Sequence, residues 1–411
     1  MDFSAVLGRL RPSAGERKKV KAAVASFVAR LKVPGARVVV GGSLAKDTWI
    51  SGVHDIDIFV CFAYTRYKSR SAGLSDLLEK SLKSSGLGFE RLHGSRDYFQ
   101  VAWQGFSFEV VPVLDIRRPG QALNITDASM LHARWVKAHV SPAMADEVRL
   151  LKAFCAAQGC YGAESYIRGF SGYVCEVLVA RYGSFRAVLK AALKWKDKEA
   201  VDFSGFYRGR RVLDFMNESK TQSPVIVVDP VDRARNAAAA LSVDKLEAFR
   251  QAARSFLKSP SGSFFSHDLP TAGELLGGLG TGFVVEAWPV RGRRDLVNMK
   301  IVKVHQFIVQ QLARHGFRVL DSGIKWGGSA LLWFRLASGQ LPEFEVLAGP
   351  PVSADARHLS AFRKLHSRVV ARRGRLVAYR KRKFRAAGEL VASLLNDPYV
   401  RERVRRAVLN A

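Results

Sequence analysis

Asp55 and Asp57 stand one residue apart in Asp55-Ile56-Asp57-Ile58-Phe59-Val60, a stretch with the composition of a strand. Strand side chains alternate with period 2. Both carboxylates therefore leave on one face, their Cα atoms about 6.6 Å apart at ~3.3 Å per residue. Ile56, Ile58 and Val60 leave on the other face, into a core. Just upstream lies Gly41-Gly42-Ser43-Leu44-Ala45-Lys46-Asp47-Thr48. Its glycines let the backbone approach a ligand closely. Ser43 is expected to cap a following helix and to offer a hydroxyl and an N–H to a phosphate. Carboxylates beside such a loop suit Mg²⁺, a hard cation that takes oxygen ligands and shares substrate phosphates. A plainer use of Asp-x-Asp is to keep an exposed sheet edge from aggregating. The adjoining Gly-Ser loop favours the metal.

Several elements must hold these residues in place. Residues 36–40 read as a buried strand that delivers the glycines to their turn. Residues 15–32 carry Val20, Val24, Phe27, Val28 and Leu31 at helical spacing, and Pro34-Gly35 ends that helix. A short helix is expected over 75–84, and a hairpin over 98–113 around Gln104-Gly105. Glu109 falls mid-strand between Phe108 and Val110. It either faces water from a half-solvated sheet or has a partner, because burying an unpaired charge is costly. Ser129-x-x-His132 precedes a helix through Trp135 and Val136; read locally, it is an N-cap serine and a surface histidine. An amphipathic helix over 146–158 contains Lys152, which locally reads as a snorkelling surface lysine. Residues 172–182 form a nearly all-apolar core helix, and 224–228 a buried strand. Arg235 is expected to start a helix at 237–240 and, locally, to be solvated. After the linker-like Ser259-Pro260-Ser261-Gly262-Ser263, strands over 283–289, 317–320, 330–335 and 342–347 surround a helix over 302–316. That order suggests an α+β module with a helix on one sheet face.

Composition bounds the possibilities further. A length of 411 residues suggests two to four domains. The net charge of +29 favours a polyanionic partner, either nucleic acid or an anionic membrane surface. No apolar run approaches the roughly 18 residues of a membrane span. The N-terminus lacks a basic segment leading into an apolar one, which argues against export. Cys61, Cys155, Cys160 and Cys175 lack zinc-ribbon spacing and are expected to be reduced thiols of a cytoplasmic protein. The last 45 residues, 367–411, hold 13 Lys or Arg against 3 acids, a net +10. Arg380-Lys381-Arg382-Lys383 is the densest run. Tyr379 and Phe384 flank it, as in RNA-binding segments.

Gly42-Ser43 with Asp55-x-Asp57 resembles the nucleotidyltransferase superfamily of DNA polymerase β type. The likeness continues through Glu147-Val148-Arg149-Leu150-Leu151-Lys152, Tyr161-Gly162-Ala163-Glu164, Arg168-Gly169-Phe170-Ser171-Gly172-Tyr173, and Val228-Asp229-Pro230-Val231-Asp232 with Arg235-Asn236. As an ordered set these resemble the archaeal-type (class I) CCA-adding enzymes, tRNA nucleotidyltransferases. The resemblance implies an α+β fold: a polymerase β-like head with a mixed sheet (1–136), a helical neck that is the central nucleotide-binding domain (137–259), and an α+β body with an inserted tail that binds tRNA (260–411). It implies addition of C, C and A to the tRNA 3′ end from CTP and ATP, by in-line transfer with two Mg²⁺ ions and release of pyrophosphate. Asp55, Asp57 and Glu109 would be the catalytic metal ligands, with Glu in place of the usual Asp at 109. Gly42, Ser43, Lys46, Ser129, His132, Lys152, Tyr161 and Arg235 would bind the nucleotide. At 46 Lys stands where Arg is common, and Ser129 and Met130 replace Thr and Pro. Implied partners are the tRNA 3′ end and acceptor stem, CTP and ATP, with no membrane; a homodimer is allowed. Two other readings share part of this pattern: a poly(A) polymerase or oligoadenylate synthase-like transferase, and a catalytically inactive RNA-binding protein.

Overall fold

The computed structural model describes residues 2–52, 55–266 and 270–411. The chain divides into two compact units, residues 1–267 and 268–411. In the first, β1 (Ala36–Val40), β2 (Asp55–Ala63), β3 (Glu90–Leu92), β4 (Tyr98–Trp103) and β5 (Phe106–Asp115) form one sheet in the order β1-β2-β5-β4-β3. The pair β2 and β5 is parallel and the other neighbours are antiparallel, so the sheet is mixed, as expected. The β4–β5 hairpin turns at Gln104 (φ 49) and Gly105 (φ 81). Two left-handed residues in a two-residue loop match the twist of the flanking strands.

Along β2, Asp55 is exposed, Ile56 buried, Asp57 half-buried and Ile58 buried; beyond that both faces are covered as far as Phe62. Ile56, Ile58, Val60 and Phe62 pack with Phe27 of the helix Ala14–Arg30 and with Leu74, Leu78 and Leu82 of the helix Leu74–Ser84. Phe27 stacks on Phe108 with centroids 4.3 Å apart. Truncating a core ring of this kind costs about 3–5 kcal/mol. On the opposite face Phe59 and Cys61 pack with Val113 and with Met130 of the helix Ser129–His139. Apolar cover on both faces confines the carboxylates to the N-terminal end of β2.

The rest of this unit is a helical core around Phe154. Its ring meets Phe185, Phe249, Phe256, Phe264 and Phe265. The helices Pro142–Ala157, Gly172–Tyr182, Phe185–Ala192 and Val243–Lys258 supply most of this cluster. Val6 and Phe3 carry the N-terminal helix Ser4–Leu10 into it as well. A parallel pair, β6 (Glu199–Asp202) and β7 (Val225–Val228), lies in this part, with every β7 residue buried. Residues 237–240 form a turn, not the expected helix. The Asn236 side-chain oxygen accepts from the N–H groups of both Val227 and Ala238, and this folds the segment back onto β7. All four cysteines are free and buried, as expected.

In the second unit β8 (Gly282–Pro289), β9 (Val319–Trp326), β10 (Ala330–Leu336) and, at the chain end, β14 (Val404–Asn410) form a sheet in the order β14-β8-β10-β9. The helix Arg294–Arg314 begins earlier than expected and buries Val297, Ile301, Val304, Ile308 and Leu312 along one stripe. Between β10 and the helix Ala387–Leu395 the chain inserts a second sheet. It consists of β11 (Phe344–Pro351), β12 (Val369–Arg372) and β13 (Arg375–Lys381), in the order β11-β13-β12, with the helix Ala356–Leu365. A mixed body with an inserted tail is the arrangement the resemblance implied. Among the described residues no helix is long and apolar enough to cross a membrane.

Candidate active site

Across the parallel pair, Asp57 lies in register with Glu109 and Asp55 with Ser107. Residues in register on parallel neighbours share a face, so three carboxylates occupy one face at one end of the sheet. The glycine loop folds over them. Gly41 donates its N–H to the Asp57 carbonyl at 2.8 Å. Gly42 has φ +56, and a Cβ there would lie 1.6 Å from Asp57 Oδ2. Only glycine satisfies both the backbone angle and this approach. Ser43 is not a helix cap. The chain turns helical one residue earlier, so Gly41 caps the four-residue helix Gly42–Ala45 and Ser43 lies inside it. Ser43 and Asp55 line one small cleft with Leu44 and Ile56.

Burial pushes the Glu109 carboxyl up to about 7, and the charges of Asp57 and Asp55 add to the push. Burial also raises Asp57, with Lys46 opposing and Asp55 adding. Burial and neighbouring negative charge both oppose ionisation of Asp57 and Glu109, and a hard divalent cation on this all-oxygen donor set would relieve both. Among the described residues no three His, Cys, Asp or Glu side chains are drawn into a ready-made metal cluster. Mg²⁺ held by one or two carboxylates plus substrate phosphates requires none.

Lys46 and Lys152 meet at a residue that local pattern did not single out. Glu176, wholly buried in the helix Gly172–Tyr182, accepts from Lys46 Nζ at 2.6 Å, from Thr48 Oγ1 at 2.5 Å and from Lys152 Nζ at 3.2 Å. Lys152 is buried rather than snorkelling, and its ammonium also donates to the Thr48 carbonyl at 3.0 Å. Burial alone would raise the Glu176 carboxyl, but the two ammoniums and the Thr48 hydroxyl hold it below its ordinary value. Tyr161 borders this network. A Cβ on Gly172 would lie 2.9 Å from its hydroxyl and 3.6 Å from Lys152 Nζ. Burial pushes the Tyr161 phenol up, so it stays neutral at physiological pH. Nearby, Arg149 donates Nε to the Trp49 carbonyl at 2.9 Å, pinning the chain that follows the glycine loop. A carboxylate within the apolar run Val174–Val179 was the available signal for Glu176.

A second group forms at Asp229, directly after β7. Its carboxylate lies 2.9 Å from His132 Nε2 and 3.2 Å from Arg235 Nη1, and those two nitrogens are 3.0 Å apart. Tyr173 donates its hydroxyl to the other Asp229 oxygen at 3.0 Å, and its ring packs on His132 at 4.4 Å. Burial would raise the Asp229 carboxyl; the hydrogen bond and charge of His132, the Val231 N–H and Arg235 hold it low. Arg235 therefore belongs to a polar cluster, not to a solvated helix. Ser129 opens the helix that carries His132, one residue past its N-cap, Ala128.

In the second unit the basic run is largely engaged. Arg380 pairs with Glu345, and Arg382 reaches Glu345 Oε2 at 3.3 Å and the His315 carbonyl at 3.0 Å. Lys381 lies 3.5 Å from Glu343, and Lys383 Nζ sits 5.2 Å above the Phe384 ring.

Three family models match the chain in order: a nucleotidyltransferase domain over residues 20–88, a tRNA nucleotidyltransferase second domain over 146–266, and a CCA-adding enzyme C-terminal domain over 294–406. A CCA-adding enzyme from Methanosarcina barkeri is 32% identical over 364 residues, covering 85% of this chain and 78% of the relative. The chain belongs to the CCA-adding enzyme family. A member from Methanothermobacter thermautotrophicus is 31% identical, covering 97% of this chain and 88% of its own. One from Nanoarchaeum equitans is 36% identical, covering 69% and 68%. The archaeal-type assignment and the expected activity, a CCA tRNA nucleotidyltransferase, thus stand. With the family come a divalent metal and tRNA and nucleoside triphosphate substrates.

Proposed function

We propose that this chain extends the tRNA 3′ end by C, C and A, using CTP and ATP, at the face shared by Asp55, Asp57 and Glu109. The observation that carries the reading is the register of Asp57 with Glu109 across the parallel strands, beneath a loop that admits only glycine at 42. These three carboxylates would hold Mg²⁺. When bound, the cation lowers the pKa of the attacking 3′-hydroxyl and neutralises the departing pyrophosphate. The protein itself contributes position and fixed charge. Gly42 and Ser43 bring main chain to the triphosphate. Lys46 and Lys152, tied to Glu176, fix the end of that loop and leave a net positive charge beside it. Arg235, His132 and Ser129 face base and ribose. A guanidinium donates to cytosine or adenine alike and accepts from neither. The pocket and the tRNA end together select the nucleotide, without a template.

The test supplies tRNA lacking its terminal trinucleotide, labelled CTP or ATP, and Mg²⁺. Ordered addition of C, C and A that then stops is expected. Continued A addition, or no incorporation at all, would sink the reading.

A further inference from the structure

The segment between β6 and β7 takes no part in the chemistry proposed for the carboxylate face, yet it is built with care. Residues 203–220 read Phe-Ser-Gly-Phe-Tyr-Arg-Gly-Arg-Arg-Val-Leu-Asp-Phe-Met-Asn-Glu-Ser-Lys. Two aromatic rings stand in water, Phe206 at 42% and Phe215 at 53% exposure. Arg208, Arg210 and Arg211 are exposed around them. Among the described residues none of these three arginines has an acidic partner, in contrast to Arg380 and Arg91, which pair with Glu345 and Glu79. Instead Arg210 lies 5.7 Å over the Phe215 ring, and Tyr207 packs on the same ring at 5.6 Å.

The display is held in place from beneath. Val212 and Met216 are buried against Ile226 and Val228 of β7, in a small apolar cluster of their own. Tyr207 donates its N–H to Asp202 Oδ2 at 2.8 Å and its hydroxyl to the Arg233 carbonyl at 2.8 Å. Lys220 Nζ donates to the Ala234 carbonyl at 2.8 Å. The loop is thus fastened to the turn that carries Arg235, and its apolar footing is the strand that delivers Asp229. Exposed large rings cost solvation unless something covers them. Rings interleaved with unpaired guanidiniums match a polymer of flat bases and phosphates. A backbone already held in place need not be ordered on binding, which leaves only the side chains to immobilise.

We infer that residues 203–220 form a binding platform for single-stranded RNA, Phe215 and Phe206 stacking unpaired bases while Arg208, Arg210 and Arg211 hold phosphates. This deepens the proposed function, on which it rests for the identity of the strand: the unpaired tRNA end being extended. Every base has a face that can stack on a ring, and every nucleotide brings a phosphate, so these contacts tolerate a strand that changes composition at each addition.

The test uses the full chain, with Arg208→Ala/Arg210→Ala/Arg211→Ala, Phe215→Ala and Phe215→Tyr, against a fluorescent oligouridylate and against tRNA lacking its CCA end. Phe215→Ala is expected to weaken oligouridylate binding at least about fivefold. Phe215→Tyr, which keeps the ring, should bind as the parent does. The triple variant should reduce the salt slope of log K by roughly 0.7 for each phosphate that is no longer neutralised. At saturating tRNA, KM for CTP should be unchanged, with KM for tRNA alone rising. Unaltered oligouridylate affinity and slope in both alanine variants, with the parent binding normally, overturns the platform. A parent chain that binds oligouridylate but adds no CCA overturns the functional reading and leaves the platform to be decided by the variants.

Discussion

Removal of one carboxylate from β2 tests the smallest claim. Asp55→Ala or Asp57→Ala deletes a metal ligand and with it the main stabiliser of developing charge. Transfer should disappear while tRNA affinity persists; turnover near that of the parent in both variants would refute the assignment. Arg235→Ala should weaken CTP and ATP incorporation together, since its donors discriminate neither base. It also leaves the buried Asp229 with His132, Tyr173 and the Val231 N–H as partners. The fold should therefore survive, and steady-state kinetics with each nucleotide can be read without a stability correction. Kinetics matching the parent for both nucleotides would reduce Arg235 to a structural residue.

At the scale of elements, the helix Gly172–Tyr182 is fastened to the glycine loop through Glu176. Because two ammoniums converge on this buried carboxylate, Glu176→Ala strands them in the interior. Breaking a buried pair in this way costs about 3–5 kcal/mol, to be read by urea unfolding at pH 7. The pH dependence follows from the sign of the shift. Glu176 is held below its ordinary value of 4.5 in the folded chain. Its contribution is therefore complete above that value and is lost as pH falls through the lower, folded one. Comparing unfolding at pH 7 with unfolding below pH 4.5, Glu176→Gln should show a shallower acid loss than the parent. Equal losses in both would show that the pair adds nothing to acid stability.

For the molecule as a whole, a net charge of +29 sets the terms of RNA binding. Affinity for tRNA should fall steeply with salt as counterions are released. Within Arg380-Lys381-Arg382-Lys383 the structure narrows the expectation. Arg380 and Arg382 alternate onto one side of β13 and its end, and both are occupied by Glu345. Lys381 keeps 72% of its side chain exposed beside Glu343. Replacing all four with Ala should lower the salt slope by roughly 0.7–0.9 for each residue that touches phosphate. Lys381→Ala should account for more of that change than Arg382→Ala, while CTP affinity stays constant. An unchanged slope in the fourfold variant would make the run a solvated face and shift RNA binding to other surfaces.

Alternation and spacing were legible along the chain. Period 2 put Asp55 and Asp57 on one face of β2 and Ile56 and Ile58 on the other, and the helix Gly172–Tyr182 had the expected limits. The hairpin around Gln104-Gly105 was legible as two apolar runs parted by a glycine-bearing pair; that both residues turn left-handed is seen only in the fold. Local pattern states which side of an element is buried; it does not state what lies opposite. Lys152 looked like a surface lysine because its partner is 24 residues away on another helix. Arg235 looked solvated because His132 lies 103 residues earlier in the chain. Ser43 looked like a cap because nothing local showed that Asp57 would draw Gly41 and Gly42 down onto β2. These pairings come from packing, for a buried charge takes its partner from whichever element the core sets against it, at any distance along the chain.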